Sequence, residues 1–487
     1  MSNYLAFDLG AESGRAMLGT LEGGRLRLEE LHRFLNQPVR LPDGLYWDTF
    51  RLFHDIREGL RIAGRERQLV LDGVAVDTWG VDYGLLDSNG ELCQTPRHYR
   101  DPRNNAAYEA ALAAAGRENI FHHTGLQFMP LNSLYQLYAA RLANTPALDI
   151  ARRLLFMPDL LSYWLCGVQK NELTIASTSQ FYNPAQKRWS TELFETLGLP
   201  PAILGEIVLP GTKLGGLLDE LRDTCALGPT PVFATAGHDT ASAVAAVPAT
   251  GKRSWCYISS GTWSLMGVEI DEPIVTPKAL ELTLTNEVGV EGKVRLLKNI
   301  AGLWLVQECR RAWLLEGKDH TYAELTEMAA GADPFLAVLD PDQFLEPGHM
   351  PERIAAYCRR TGQPVPERPG QFVRICLESL AFRYRQVLES LEALVGFRIE
   401  VIHIVGGGSR NGLLNRFVAE ATGRTVVAGP NEATAAGNIL VQAMGAGEIS
   451  GLPQLRQVVR DSFDLETIDA PGSPAWDRAY ERYLRLK

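Results

Sequence analysis

The chain has 487 residues, 46% apolar and 22% charged, with 48 basic and 58 acidic residues and a formal net charge of −10. A chain of this length folds as more than one domain. The acidic balance, without any basic run, argues against a nucleic-acid-binding protein. No apolar stretch approaches the roughly 20 residues that span a bilayer, and Asp8 interrupts the early apolar run, so no signal peptide is expected. We therefore expect a cytoplasmic protein that does not bind membranes.

The cysteines and histidines follow no metal-binding or hydrolytic pattern. The seven cysteines are scattered and odd in number, and none has CxxC spacing, which argues against a zinc ribbon or a disulfide framework. A pairing of Cys358 with Cys376 stays open, although chance explains their spacing equally well. The sequence has no HExxH, GxSxG or GxxxxGK[ST] motif, so zinc peptidases, α/β-hydrolases and P-loop proteins are disfavoured.

The chain begins with a strand–turn–strand pattern. Leu5–Leu9 and Ala16–Thr20 are apolar enough to predict two strands, and a Gly-Gly turn leads from the second to a third. Between the first two lies "DLGAESGR", in which glycines allow phosphate oxygens to approach aligned backbone N–H groups. Asp8 suits a magnesium ion, directly or through water, and Arg15 suits a charge-assisted contact. The alternative is a glycine-rich hairpin in which Asp8 only fixes the turn.

Helices and strands alternate in the following segment. Thr49–Ala63 has helical periodicity, and "LDGVAVDTWGVDYGLLD" predicts a buried strand, a polar turn and a further strand. This alternation predicts an α/β fold. The segments Asp77–Gly84 and His98–Asn104 are typical of a sugar-facing surface, where Trp79 would offer a flat apolar face and the polar residues would bind hydroxyl groups.

The segment "GHDTASA" carries the strongest single signal. A strand at Val232–Ala234 precedes it, and a helix of small residues begins at Asp239 and ends near Ala246. The positive end of the helix favours the ionised carboxylate, which accepts a proton at neutral pH. A simple N-cap is the alternative, but the neighbouring His238 exceeds what capping needs. We therefore predict a general base at Asp239.

A second turn, "SSGTWS" (Ser259–Ser264), repeats the opening shape of strand, small-residue turn and strand. Its N–H groups and the Thr262 hydroxyl suit phosphate oxygens, and an ordinary hairpin is the alternative. As an echo of the first turn, it predicts two copies of one α/β unit that meet across a cleft, with a boundary near residue 245.

Two later segments carry candidate binding groups. "LKNIAGLWLVQE" (Leu297–Glu308) is predicted as the start of an apolar helix, in which Asn299 and Gln307 are either binding amides or satisfied core residues. "IVGGGS" (Ile404–Ser409) joins a buried strand to a helix. Its glycines would let a flat ligand lie against the backbone, and the helix N-terminus offers unpaired N–H groups. A strand–helix turn that needs positive φ is the alternative.

Together these motifs resemble the superfamily of ATPases that contains actin, hexokinase and the chaperone ATPases. Within it, the chain is similar to the FGGY family of carbohydrate kinases over essentially its whole length. The resemblance rests on "DTWGVD", "HDTASAV", "SSGTWSLMG", "LKNIAGLWLVQ" and "HIVGGG". It implies two actin-like, ribonuclease H-like α/β domains that flank a central cleft. Residues 1–244 would bind sugar and phosphate and carry the catalytic aspartate, and residues 245–487 would bind the nucleotide.

The resemblance also implies an activity, namely ATP-dependent phosphorylation of L-rhamnulose at its 1-hydroxyl in L-rhamnose catabolism, with Mg²⁺ as cofactor. The products would be L-rhamnulose 1-phosphate and ADP. Another ketose, such as L-fuculose, L-ribulose or D-xylulose, is an alternative substrate. An actin-like ATPase that binds no sugar and a sugar-binding regulator without catalysis are further alternatives. The sugar and ATP are the expected partners, and the oligomeric state stays open between monomer and homodimer.

By the family's pattern, Asp239 would be the catalytic base and Asp8 would hold Mg²⁺, directly or through water. Related sugar kinases carry small hydroxyl residues in place of Ala11 and Glu12, and a carboxylate beside polyphosphate is repulsive unless a metal or Arg15 intervenes. The residues implied to contact ATP are Ala11, Glu12, Ser13, Gly14, Arg15, Thr262, Gln307 and Gly407. Those implied to contact the sugar are Gly80, His238, Asp239, Thr240 and Asn299.

Overall fold

The computed structural model describes residues 1–251 and 253–486, so Lys252 and Lys487, both in the predicted second domain, lie outside the described residues. The chain forms two compact units. Unit 1 comprises Met1–Ala246, Glu269–Leu296 and Ala433–Ser462, and unit 2 comprises Val247–Val268, Leu297–Glu432 and Phe463–Lys487. The domain boundary near residue 245 stays a prediction.

The strands vary from two-residue pairs to long hairpin strands. In chain order they are β1 (Ser2–Leu9), β2 (Ser13–Glu22), β3 (Arg25–Leu35), β4 (Pro38–Leu41), β5 (Gly44–Trp47), β6 (Gly73–Thr78), β7 (Tyr83–Leu86), β8 (Arg153–Phe156), β9 (Asn171–Glu172), β10 (Tyr182–Asn183), β11 (Arg188–Trp189), β12 (Ile207–Val208), β13 (Thr212–Gly216), β14 (Pro231–Ala234), β15 (Trp255–Ser260), β16 (Trp263–Ile270), β17 (Thr285–Val288), β18 (Val294–Ala301), β19 (Val401–Val405), β20 (Thr425–Ala428) and β21 (Glu466–Ile468).

The α-helices alternate with these strands, as the sequence predicts. In chain order they are α1 (Thr49–Arg61), α2 (Arg103–Ala115), α3 (Arg117–Thr124), α4 (Ser133–Leu142), α5 (Pro146–Ile150), α6 (Met157–Cys166), α7 (Leu173–Ala176), α8 (Thr191–Thr196), α9 (Asp219–Cys225), α10 (Asp239–Ala245), α11 (Pro277–Glu281), α12 (Trp304–Leu315), α13 (Tyr322–Ala330), α14 (Met350–Arg360), α15 (Pro369–Val395), α16 (Gly412–Thr422), α17 (Ala433–Gly445), α18 (Leu452–Ser462) and α19 (Pro474–Leu484).

The main sheet of unit 1 has the strand order β13-β14-β6-β1-β2-β3. Strand β1 pairs antiparallel with β2 and parallel with β6, and its register places Asp8 opposite Arg15 on one side and Asp77 on the other. Strand β14 also runs parallel to β6. The carboxyl ends of β1, β6 and β14 therefore meet at one edge of the sheet, which is where open α/β sheets bind ligands.

The other large sheet has the order β17-β18-β16-β15-β19-β20-β21, and most of its residues belong to unit 2. Strand β15 pairs antiparallel with β16 and parallel with β19, just as β1 pairs with β2 and β6. The sequence prediction that the second turn repeats the strand–turn–strand shape of the first is therefore confirmed. Each turn joins two antiparallel strands, and the first strand of each hairpin also pairs in parallel with a third strand.

Close helix packing holds α10 within unit 1. Helix α17, which comes from the C-terminal part of the chain, crosses α10 so closely that a Cβ atom on Gly437 would lie 1.8 Å from the Ser242 carbonyl oxygen. Small residues allow this approach, since Ala241 and Ala436 are also buried in these two helices. The predicted small-residue helix is confirmed, and its partner is α17.

The prediction of one apolar helix start over Leu297–Glu308 is wrong. The first part, including Asn299, belongs to strand β18, and the helix begins only at Trp304. Gly302 separates the two elements, and a Cβ atom there would lie 2.6 Å from the Ser264 hydroxyl oxygen. Short apolar runs fit a buried strand and a buried helix equally well, so the sequence alone favoured the wrong element.

Within residues 1–251 and 253–486, no helix is both long enough and apolar enough to cross a bilayer. The cysteines of the described chain are free thiols, and Cys358 and Cys376 are both buried.

Candidate active site

The turn between β1 and β2 is tightly closed. The Gly10 N–H donates to the Ser13 carbonyl at 2.9 Å. Asn36 stabilises the turn with two further hydrogen bonds. Its backbone N–H donates to the Glu12 carbonyl at 3.0 Å, and its side-chain amide donates to the Gly10 carbonyl at 2.8 Å. A Cβ atom on Gly14 would lie 2.2 Å from the Phe34 ring, so only glycine fits there. Glu12 is exposed and Ala11 half-buried.

Asp8 and Arg15 form an ion pair at the base of this turn. The Arg15 Nη2 atom donates to Asp8 Oδ2 at 2.5 Å, and the Asp8 and Arg15 side chains are 8% and 18% exposed. The two residues face each other across the hairpin because of the strand register. The sequence prediction gave them separate partners, a metal ion and a phosphate group, whereas the structure also joins them to each other.

Asp77, which lies beside Asp8 on β6, is fully buried. Its Oδ2 atom accepts a hydrogen bond of 2.6 Å from the Asn438 amide on α17, and within the described residues Oδ1 has no hydrogen-bond partner. Burial raises the pKa of Asp77 well above its ordinary value, and the nearby carboxylates of Asp8 and Asp239 raise it further. Three acidic residues, on β1, on β6 and at the start of the helix Asp239–Ala245, are thus near enough to influence one another electrostatically.

The predicted base, Asp239, is the first residue of helix α10. Its Oδ1 atom accepts hydrogen bonds from the Thr240 N–H at 2.5 Å and from the Thr240 hydroxyl at 3.1 Å. Its side chain is 31% exposed, while that of His238 is 9% exposed. The helix start fixes one carboxylate oxygen and leaves the side chain partly exposed to solvent.

A strained turn places Gly80 next to His238. The Asp82 N–H donates to the Gly80 carbonyl at 3.0 Å, and Val81 between them has a φ of 70°. Such a γ-turn is rare for a β-branched residue and costs of the order of 1–3 kcal/mol. A Cβ atom on Gly80 would lie 3.4 Å from His238 Nε2, in van der Waals contact. The hydroxyl of Thr178 accepts from the Val81 N–H at 3.2 Å and so supports the turn.

Trp79 does not present the open flat face that the sequence predicts. Its side chain is 5% exposed, and its ring packs on Trp47 with 4.0 Å between centroids. Both indole N–H groups donate to the buried Asp82 Oδ2, at 3.0 Å from Trp79 and 2.5 Å from Trp47. The Gln136 amide donates to Asp82 Oδ1 at 2.7 Å. Because both indole N–H groups point to this buried carboxylate, the Trp79 ring belongs to the core of unit 1.

Glu172 fixes the backbone just before the predicted base. Its buried carboxylate accepts hydrogen bonds from the Gly237 N–H at 2.9 Å, the Thr174 N–H at 2.8 Å and the Ile175 N–H at 3.1 Å. Burial raises the pKa of Glu172 to about 7 in spite of these donors. The residues that orient His238 and Asp239 are therefore partly held by a carboxyl group on β9, which the sequence analysis did not single out.

In unit 2, the turn with Thr262 is bonded to the start of helix α12. The Gly261 N–H donates to the Trp263 carbonyl at 2.8 Å, which closes the turn, and the Trp304 N–H donates to the Thr262 carbonyl at 3.2 Å. Gln307 lies one turn further along α12, and its Oε1 atom is buried without a partner in the described chain. The turn that carries Thr262 is therefore joined by a hydrogen bond to the first turn of the helix that carries Gln307.

The three glycines after β19 lie against the same hairpin. Gly406 has a φ of 83°, and a Cβ atom on Gly408 would lie 2.1 Å from the Ser260 hydroxyl oxygen, so both positions require glycine. A Cβ atom on Gly407, in contrast, would meet no atom within 4 Å. The backbone at Gly407 is thus open, as the approach of a flat ligand requires.

The predicted site residues divide between the two units. Unit 1 holds Asp8, the run 11–15, Gly80 and the run 238–240, and unit 2 holds Thr262, Asn299, Gln307 and Gly407. Within residues 1–251 and 253–486, no group of three or more His, Cys, Asp or Glu side chains is placed to hold a metal ion.

Sequence reasoning did not single out several residues that surround these candidates. Asp77 entered only as the first residue of the predicted sugar-facing segment Asp77–Gly84, although it lies on the strand that pairs with the one carrying Asp8. The others come from distant parts of the chain without any motif, and only the fold shows that they belong here: Asn36, Glu172, Glu287, Arg295 and Asn438.

Comparison with known families identifies the chain. The N-terminal domain model of the FGGY family of carbohydrate kinases matches residues 3–246, and the C-terminal domain model matches residues 256–446. The chain belongs to the FGGY family of carbohydrate kinases. Its two-unit α/β architecture is the actin-like fold that the sequence predicts.

Relatives align over nearly the whole chain. A rhamnulokinase from Bacteroides thetaiotaomicron is 47% identical over 480 residues, which cover 98% of each protein. A rhamnulokinase from Oceanobacillus iheyensis is 39% identical over 95% of this chain and 97% of its own length.

Solved structures share the fold at low sequence identity. A ligand-bound xylulose kinase from Lactobacillus acidophilus has a TM-score of 0.82 at 13% identity, over 100% of this chain and 98% of its own. A glycerol kinase from Plasmodium falciparum, solved with ADP, has a TM-score of 0.79 at 14% identity, over 99% and 98%.

Proposed function

We propose that this carbohydrate kinase transfers the γ-phosphoryl group of ATP to O1 of L-rhamnulose, giving L-rhamnulose 1-phosphate and ADP in L-rhamnose catabolism. The observation that carries the choice of sugar is the 47% identity, over 98% of each chain, to a protein named as a rhamnulokinase. We also propose that it acts in the cytoplasm.

For the nucleotide, two sets of residues are proposed. In unit 1, the run from Ala11 to Arg15 would bind ATP phosphates through the closed turn at the end of β1. In unit 2, the Thr262 hydroxyl, the Gln307 amide and the Gly407 backbone would contact the nucleotide. The orphaned buried oxygen of Gln307 and the open space at Gly407 support this assignment.

For the metal, Asp8 is the proposed contact. Mg²⁺ favours one or two carboxylates together with phosphate and water oxygens, and the Asp8 carboxylate lies at a strand end with Arg15 as its neighbour. The residues therefore fit an ion that arrives with ATP. Bound there, Mg²⁺ would supply charge neutralisation of the phosphate oxygens.

For the sugar, Gly80, His238, Thr240 and Asn299 are the proposed contacts, and Asp239 is the proposed base. Phosphoryl transfer depends chiefly on positioning and charge stabilisation, so the base would orient the 1-hydroxyl and accept its proton late. Thr240 holds Oδ1 of Asp239, which leaves Oδ2 to receive the proton. Such general base catalysis contributes about 10²–10⁴-fold.

An ADP-release assay with a panel of sugars tests the proposal. The purified protein is given Mg-ATP with L-rhamnulose, L-fuculose, L-ribulose or D-xylulose, and ADP is followed by a coupled assay. We expect kcat/KM for L-rhamnulose to exceed the others by at least tenfold. A higher value for another ketose would reassign the substrate, and ATP hydrolysis that is independent of any sugar would contradict a kinase function.

A further inference from the structure

A buried trio of charged and polar side chains lies behind the predicted base, within unit 1. Glu287 on β17 and Arg295 on β18 belong to one hairpin, and both meet the imidazole of His238. The Arg295 side chain has no exposed surface, and the side chain of Glu287 is 7% exposed. A buried ion pair contributes little net stability on its own, because desolvation offsets the attraction between the charges. Its position beside His238 therefore points to a further role.

The contacts of the trio bear on which imidazole nitrogen carries a hydrogen. His238 Nδ1 lies 3.2 Å from Glu287 Oε2 and 3.2 Å from Arg295 Nη2. A carboxylate only accepts hydrogen bonds and a guanidinium group only donates them, so Nδ1 either donates to Glu287 or accepts from Arg295. Arg295 Nη2 also has two oxygen acceptors, Glu287 Oε2 at 3.0 Å and the Val288 carbonyl at 3.3 Å, which favours the arrangement in which Nδ1 donates to Glu287.

Glu287 is ionised in this arrangement. Burial raises the pKa of its carboxyl group, but the charge of Arg295 and the hydrogen bond from His238 outweigh burial, so the pKa lies below its ordinary value. An ionised carboxylate beside Nδ1 can hold a ring hydrogen on that atom, as carboxylates do when they orient a histidine in other sites.

With a hydrogen on Nδ1 alone, the imidazole has its lone pair on Nε2. This atom is 3.4 Å from Asp239 Oδ1 and 3.4 Å from the position of a Cβ atom on Gly80. The imidazole nitrogen and the carboxyl group of the base thus stand side by side. A substrate hydroxyl group that lies against both side chains can donate to either one.

We propose that Glu287 and Arg295 are positioning residues that hold His238 with its Nε2 atom free to accept a hydrogen bond from a substrate hydroxyl beside Asp239. This inference rests on the proposed function for the identity of the sugar. Glu287 acts on the imidazole directly, and Arg295 acts through Glu287 by fixing the position of its Oε2 atom. Neither residue contacts the sugar.

The tautomer can be read without any activity. With ¹⁵N-labelled histidine, we expect the resonances of His238, assigned by their loss in His238→Gln, to show a protonated Nδ1 and an unprotonated Nε2 in the free protein. Saturating L-rhamnulose should shift the Nε2 resonance. A proton on Nε2 in the free wild-type protein, or an Nε2 resonance unmoved by the sugar, would overturn the inference.

The steady-state kinetics of Glu287→Gln provide a second, independent test of the positioning role. We expect KM for L-rhamnulose to rise about tenfold, the loss expected from one misdirected hydrogen bond, while the Kd of Mg-ATP and the melting temperature change little. Glu281→Gln, at an exposed position in the same unit, is the matched control and should retain the wild-type KM. If Glu287→Gln melts as wild type and keeps its KM, the positioning role is wrong. Absence of sugar-dependent ADP release in the wild-type protein would instead contradict the proposed function, and the tautomer of the free protein would still be measurable.

Discussion

The Asn438 amide donates a 2.6 Å hydrogen bond to the buried carboxyl group of Asp77, although 361 positions separate the two residues in the chain. The Asn438 Oδ1 atom in turn accepts from the Gln442 amide at 2.8 Å, and Gln442 also donates to the Leu5 carbonyl at 3.2 Å. Helix α17 is thereby tied to both β1 and β6. The strand ends that carry Asp8 and Asp77 depend on a helix from the C-terminal part of the chain.

Asn438→Ala should lower the free energy of unfolding by about 1–3 kcal/mol, because it leaves the buried carboxyl group of Asp77 and one N–H of the Gln442 amide without a partner. Urea denaturation measures the change. Asn105→Ala, on the exposed face of α2, is the matched control and should change stability by less than about 0.5 kcal/mol. Equal stability of the two variants would mean that water or rearrangement satisfies Asp77.

Gly437→Ala should be destabilising, because its Cβ atom would lie 1.8 Å from the Ser242 carbonyl oxygen. Overpacking of this kind costs about 1–3 kcal/mol. The displaced α10 should also lower kcat, since Asp239 begins that helix. Gly412→Ala, at the start of α16, adds the same methyl group in open space and should change stability by less than about 1 kcal/mol. A Gly437→Ala variant as stable and active as Gly412→Ala would refute the close crossing.

The sequence predicted the elements of this fold well where a motif and its periodicity agreed. Helix α1, the β1–β2 hairpin and the small-residue helix α10 follow directly from apolar spacing and from the placement of glycines. The contact of α17 with α10 was not predictable, because nothing in the local pattern of Gly437 indicates which helix it meets. The strand at Asn299 was misassigned, since an apolar run of that length suits either type of element.

The stability of the wild-type chain should fall with rising pH because of Glu172. Burial raises its pKa from 4.5 to about 7, so between these values the folded chain binds this proton more tightly than the unfolded chain does. The free energy of unfolding therefore decreases between about pH 4.5 and 7, by about 3 kcal/mol in total. Above pH 7, Glu172 causes no further change.

Glu172→Gln removes this titration. Urea denaturation at pH 5, 6, 7 and 8 should show the variant gaining stability relative to wild type as the pH rises to 7. Glu281→Gln, at an exposed position, should keep the wild-type pH dependence. A constant difference between wild type and Glu172→Gln at all four pH values would mean that Glu172 is already ionised at pH 5 in the folded chain.

Asp8→Asn should weaken binding of Mg-ATP by at least tenfold while leaving metal-free ATP binding nearly unchanged, because the amide keeps the shape of the side chain and loses the charge that attracts the metal. Calorimetric titrations with ATP, in the presence of Mg²⁺ and in the presence of EDTA, measure the two affinities separately. Asp223→Asn, at an exposed position, controls for the lost charge. Equal Mg-ATP affinity in the wild type and Asp8→Asn would assign Asp8 to the structure of the turn and to its ion pair with Arg15.

The candidate site was predictable only as far as its motifs reach. Asp239 and His238 stand out because two polar residues end an apolar strand, and Gly407 because glycines follow another. The groups that orient them, Glu172 and Glu287, lie in segments without a motif, since a supporting carboxylate needs only a position in space and no particular spacing in the chain. Trp79 was misjudged because the sequence does not show the Asp82 carboxylate that turns its indole inward.

Asp239→Asn tests the central claim most directly. The amide keeps the hydrogen bonds of the helix start yet cannot accept the substrate proton, so kcat with L-rhamnulose should fall by about 10²–10⁴-fold while the Kd of Mg-ATP stays within twofold. The measurement is single-turnover ADP formation beside a calorimetric titration, with Asp223→Asn as control. A turnover within threefold of wild type would contradict the assignment of the base and, with it, the catalytic scheme.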